Sequence, residues 1–110
     1  MSERSNELLV IDIRDSIDKI LRYTAGMKKA AFMENEMVVD AVIRNFEIIG
    51  EAAAQISKEF IQAHASVPFR KMNKLRNHLI HGYAYVSLEM LWKEISRDIP
   101  AWKTQIEKIK

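Results

Sequence analysis

Apolar residues recur at intervals of three and four along nearly the whole chain, and only three glycines and two prolines interrupt them. This is the pattern of an all-α protein. Leu9, Ile13, Ile17 and Ile20 define a first helix from about residue 6 to 24, with Ser5 as its cap and Gly26 as its stop. A short helical piece follows from Lys28 to Met33. The longest helix begins near Asn35, buries a stripe of Val38, Ala41, Val42, Ile49, Ala52, Ala53 and Ile56, and ends between Gln55 and Ser57. Gly50 in its interior costs about 1 kcal/mol of propensity relative to alanine, which points to close packing by a neighbouring helix.

Residues 58–67 form a connection with one more helical turn. Pro68 suits the first turn of a third helix that runs to Ile80 or His81 and is stopped by Gly82. Ser87 then caps a fourth helix with Leu88, Leu91, Trp92 and Ile95 on its apolar face. Pro100 kinks or restarts it, and Trp102, Ile106 and Ile109 carry the stripe onward. The expected architecture is an antiparallel bundle of four to five helices, one domain spanning residues 1–110.

Composition narrows the class without naming a function. Hydrophobic residues make up 48% of the chain and charged residues 29%, a globular balance. Without cysteine there is no disulfide, no thiolate metal site and no cysteine nucleophile. No apolar run approaches the ~20 residues a membrane span requires, so a cytoplasmic location with no membrane partner is expected.

Net charge is only +2, but its distribution is uneven. Residues 1–59 carry eleven acids against eight bases, whereas residues 60–88 carry four bases and no acid. All three histidines lie in that second window, beside Arg70, Lys71, Lys74 and Arg76. A local positive field of this kind suits a phosphate site, although acid-free windows also arise by chance. His78 and His81 are three apart, but no carboxylate in the window completes a zinc ligand set, so neither metal nor cofactor is expected.

At the centre of the window stands Arg76-Asn77-His78-Leu79-Ile80-His81-Gly82-Tyr83. A guanidinium can clamp phosphate oxygens and an imidazole can move a proton near neutral pH. Asn77 and His81 are i, i+4 and share a helical face, whereas Arg76 and His81 are separated by about 140° on an ideal helix. The two converge if the arginine side chain wraps round, if the helix unwinds before Gly82, or if a second copy supplies half the site. This awkwardness favours a composite site across a homodimer.

Arg76, four intervening residues, His81, one residue and Tyr83 resemble the Arg-x4-His-x-Tyr signature of the HepT-like toxins, small members of the HEPN superfamily. The segment Arg44-Asn45-Phe46-Glu47-Ile48-Ile49-Gly50-Glu51-Ala52 is similar to the family's second helix. Tyr23-Thr24-Ala25-Gly26-Met27 and Val67-Pro68-Phe69 extend the likeness over nearly the whole chain. Among the departures, Phe69 stands where the family often has tryptophan, and Asn73-Lys74-Leu75 replaces a common glycine-methionine approach.

The resemblance implies a metal-independent endoribonuclease, the toxin of a type VII toxin-antitoxin system. It would act as a homodimer on RNA and not DNA, and would be paired with an MNT-type nucleotidyltransferase antitoxin. In that reading His81 is general base or acid, Arg76 clamps the phosphate, Asn77 orients His81 or the phosphate by a hydrogen bond, and Tyr83 is the acceptor of AMP from the antitoxin. Arg70, Lys71 and Lys74 steer RNA, and Glu47 or Glu51 holds Arg76 from behind.

Blander roles compete at each position. Arg76 can serve as a simple partner of Glu47 or Glu51, His81 as a histidine at a helix end, Tyr83 and Tyr85 as aromatic lids. His78 is expected at the surface and His64 in a connection without function. Two whole-protein alternatives follow: a catalytically silent nucleotide-binding or nucleotidyltransferase-partner subunit, and a plain helical dimerisation module.

Overall fold

The computed structural model describes residues 4–80 and 87–109, and these residues are helical with no strand among them. Helix α1 spans Asn6–Tyr23, with the Ser5 hydroxyl accepting from the Leu8 amide at 3.2 Å and Gly26 adopting a φ of 75° just beyond its end. The short α2 covers Lys29–Glu34. Helix α3 runs from Glu36 to Gln55, capped by the Asn35 side chain, which accepts from Val38 N–H at 3.1 Å.

A second short helix, α4, spans Lys58–Ala63, and α5 follows at Phe69–Leu79. Pro68 occupies the position before the first turn of α5, one residue earlier than expected. The Ile80 amide still donates to the Arg76 carbonyl at 3.0 Å, so the ladder of α5 persists to the edge of the described residues. Gly82, the expected helix stop, lies outside them.

The C-terminal segment is one helical column of three pieces: α6 at Leu88–Lys93, a π-helical stretch at Glu94–Asp98, and α7 at Ile99–Ile106. Ser87 caps it as expected, its hydroxyl accepting from Met90 N–H at 3.3 Å. Pro100 explains the π stretch, because its ring has no N–H to donate and would collide with the carbonyl four residues back in a regular helix. The chain widens by one residue per turn there instead of breaking, and the Ile99 amide reaches back to Glu94.

Helix α3 is the central element, packed against α1 on one side and α5 on the other. Its buried arc is therefore wide. The apolar stripe includes Val42, Ile49, Ala52, Ala53 and Ile56 as expected, but its N-terminal half is carried by Val39, Ile43 and Phe46, while Val38 and Ala41 are only half-buried. Phe46 meets Trp102 of α7 edge to face, with centroids 6.3 Å apart. Ile13, Ile17 and Ile20 of α1 are wholly enclosed, each contributing about 1.5–3 kcal/mol of hydrophobic stabilisation.

Polar ties close the ends of the bundle. Asn6 and Ser57 exchange two hydrogen bonds, of 3.0 and 3.1 Å, fixing the start of α1 to the α3–α4 turn. Lys103 of α7 donates to Asp18 of α1 at 2.6 Å, and the carboxylate holds its ammonium charged above the ordinary lysine range. No helix among the described residues is long and apolar enough to cross a membrane.

Candidate functional site

The face of α5 turned toward α3 is made by Phe69, Met72, Leu75 and Leu79, all buried. Arg76 lies on this packed side too, half-buried, with its root against the one residue of α3 that has no side chain. A Cβ placed on Gly50 would overlap Arg76 Cβ and would stand 2.9 Å from the Met72 carbonyl oxygen. Gly50 is thus the seat of Arg76, the close approach that its low helix propensity predicted.

From this seat the arginine side chain turns toward the next residue. One terminal nitrogen donates to the Asn77 Oδ1 at 2.9 Å, while Nε is buried and meets no acceptor among the described residues. How Arg76 and His81 converge is a question that falls outside the described residues. His81 and Tyr83 themselves lie outside the described residues.

The opposite face of α5 is solvent-exposed. Arg70, Lys74 and Asn77 fall within about 60° of one another at 100° per residue, and all three are exposed. No residue of α5 is acidic. Arg70 and Lys74 therefore stand beside the Arg76–Asn77 pair as exposed cations.

Lys71 has a different engagement. Its ammonium lies 3.2 Å from the Asp98 carboxylate in the π stretch, so it ties α5 to the C-terminal column. Asp98 is in turn hydrogen-bonded to Glu94. Burial, then the hydrogen bond and negative charge of Asp98, push Glu94 from its ordinary 4.5 up to about 7. For Asp98 burial works against ionisation, but hydrogen bonds from Glu94 and Lys71 outweigh it and hold the carboxyl below its usual range. This trio was missed in the sequence. The available signal was two carboxylates four apart on a helix just before a proline.

The expected pairing of Arg76 with Glu47 or Glu51 is not made. Both carboxylates face Arg44, at 3.7 and 3.8 Å. Arg44 is three residues from Glu47 on the same helix and reaches both without crossing to α5, which leaves Arg76 to its own neighbour. Asn45, between them, is buried and donates to the Ala41 carbonyl at 2.8 Å. His78 is exposed, as expected, and His64 caps α4 with its ring 4.4 Å from that of Phe60, a packing role.

A half-buried guanidinium, an amide at its tip and two flanking cations form a surface suited to an anion with several oxygens, such as a phosphodiester. Comparison with known proteins points the same way. The family described as Ribonuclease HepT-like matches residues 13–109. A protein of Methanocaldococcus jannaschii named as a putative RNase is 36% identical over 107 residues, covering 97% of this chain and 98% of that one. A protein of Thermococcus cleftensis named as a probable ribonuclease HepT is 36% identical over 108 residues, covering 98% of each. One from Caldanaerobacter subterraneus, also named as a putative RNase, is 31% identical over 90 residues, covering 82% of this chain and 80% of that one. No solved structure matches. With the family matched over residues 13–109 and relatives alike over four fifths or more of both chains, this chain belongs to the HepT-like ribonuclease family.

Proposed function

We propose that this chain is a metal-independent endoribonuclease that cleaves RNA by attack of a ribose 2′-hydroxyl on the adjacent phosphorus. The observation that carries the reading is the seating of Arg76 against Gly50, which sends its guanidinium round to Asn77, at the edge of the exposed stripe with Arg70 and Lys74. His81 is the proton-transfer group of this account. It takes the 2′-hydroxyl proton as the new bond between O2′ and phosphorus forms. The bond from phosphorus to O5′ breaks, the leaving oxygen receives a proton, and the products are a 2′,3′-cyclic phosphate and a 5′-hydroxyl.

Arg76 supplies fixed positive charge to the non-bridging oxygens as the phosphorane forms, and Asn77 holds the guanidinium in orientation. Two copies of the chain in a homodimer bring two His81 side chains, so that one acts as base while the other acts as acid. Arg70 and Lys74 attract the RNA. Lys71, bound to Asp98, instead fixes the helix on which they stand.

In the same reading the protein is the toxin of a type VII toxin-antitoxin pair in the cytoplasm. An MNT-type nucleotidyltransferase silences it by transferring AMP to Tyr83, which sets bulky phosphate charge where substrate phosphate must bind. The membership of the chain in the HepT-like family supports this. The test is a paired substrate: an RNA oligonucleotide and its 2′-O-methyl counterpart, incubated with the purified protein. Cleavage of the first alone is expected, and equal cleavage of both contradicts the mechanism.

A further inference from the structure

Outside the α5 site, a surface recess joins α6 to the start of α2. It has a volume of about 480 Å³ and is lined by Lys29, Ser87, Trp92, Lys93 and Ser96 among others. Trp92 is half-buried, backed by Phe32 with ring centroids 5.4 Å apart and an interplanar angle of 35°. The indole is therefore held rigidly at the wall of the recess by a wholly enclosed ring.

Two cations flank it. Lys93 is exposed, and Lys29 lies 3.2 Å from Glu89 in an ion pair whose side chains are 50% and 68% exposed. An exposed pair of this kind is weak, so Lys29 exchanges its carboxylate for an incoming phosphate at little cost. A fixed aromatic face beside exchangeable cations is the combination by which proteins hold single-stranded nucleic acid, the base stacking on the ring and the backbone following the charges.

The recess also lies close to the proposed chemistry along the chain. Ser87, on its rim, and Ile80, at the end of the described part of α5, are seven residues apart. Even a fully extended connection of that length holds the two within about 25 Å.

We propose that this recess is a substrate subsite, in which Trp92 stacks on a nucleobase of single-stranded RNA while Lys93 and Lys29 contact its phosphates. It rests on the ribonuclease reading for its role, since it would place the strand on one side of the bond to be cut. The Trp92 subsite selects unpaired RNA over a duplex, because only a splayed base offers its face to the indole.

The test uses a 2′-O-methyl oligonucleotide, which binds without being cut, and follows tryptophan emission. Trp102 is enclosed in the core, so a change on binding reports Trp92. Quenching is expected, with Trp92→Leu weakening binding about ten-fold, Trp92→Phe retaining most of it, and Lys93→Ala weakening it by a smaller factor. Because Trp92 packs on Phe32, the exposed Lys93 variant keeps the test valid if Trp92→Leu folds poorly. Unchanged emission together with unchanged affinity in Lys93→Ala overturns the subsite even if the protein cleaves RNA. Quenching and weakened binding in a protein that cuts no RNA uphold the subsite and overturn the ribonuclease reading instead.

Discussion

Gly50 of α3 and Arg76 of α5 meet so closely that a single added methyl group would overlap the arginine's Cβ. The contact couples fold to site, since the spacing of the two helices and the direction of the guanidinium are set at one point. Gly50→Ala must push α5 outward, against the Met72 carbonyl as well as Arg76, at an expected cost of about 1–3 kcal/mol from overpacking. Urea denaturation measures this. RNA cleavage should fall more steeply than stability does, whereas a Gly50→Ala protein of unchanged stability and activity would refute the coupling.

Among the described residues, Arg76 is held by Asn77 and not by a carboxylate. Arg76→Lys keeps the charge but loses the planar fork, and cleavage is expected to drop about a hundred-fold. Asn77→Ala removes one hydrogen bond to the guanidinium and should reduce cleavage about ten-fold with little change in stability, as both side chains are at the surface edge. Steady-state rates on a single RNA oligonucleotide separate the two. Equal rates for wild type and both variants would remove Arg76 from the mechanism.

Glu94, pushed up to about 7, makes stability depend on pH in a definite direction. Its carboxyl binds a proton more tightly folded than unfolded, so its contribution is complete below its ordinary 4.5 and is lost as pH rises through about 7. Asp98, held below its ordinary value, acts oppositely, and its contribution is lost on acidification. The urea midpoint of the wild type should therefore decline from about pH 4.5 to beyond 7 relative to Glu94→Gln, which has no proton to lose. Parallel curves for the two proteins would show that the Glu94–Asp98–Lys71 trio does not titrate this way.

Phe46, enclosed beneath Trp102, anchors the centre of the bundle. Phe46→Ala should cost about 3–5 kcal/mol, read from the same denaturation experiment. A loss below 1 kcal/mol would mean that the α3–α7 contact collapses to fill the space.

Much of this molecule is legible in its residues because helical signals are local. Ser5, Asn35 and Ser87 announce three helix starts, and each forms its cap. Gly50 stood out because glycine inside a long helix needs a reason, and close packing is that reason. The phase of the α3 stripe was harder to read, since a helix packed on two sides tolerates apolar residues over most of its circumference. Val39, Ile43 and Phe46 were thus passed over for Val38 and Ala41.

At the candidate site, Arg76 and Asn77 could be singled out from the sequence, while the partner each side chain takes could not. Which carboxylate an arginine chooses depends on side-chain reach across helices, and Arg44 holds the two that Arg76 was expected to use. The Lys71–Asp98 bridge joins residues far apart in the chain with no local mark.

The central claim is that His81 moves protons in the cleavage of RNA without a metal. Its most direct measurement is cleavage of a defined RNA in EDTA by wild type and by His81→Ala, with the product ends determined. The account predicts 2′,3′-cyclic phosphate and 5′-hydroxyl ends from the wild type and a loss of at least about a hundred-fold in the variant. Equal cleavage by both proteins, or none by either, would contradict it.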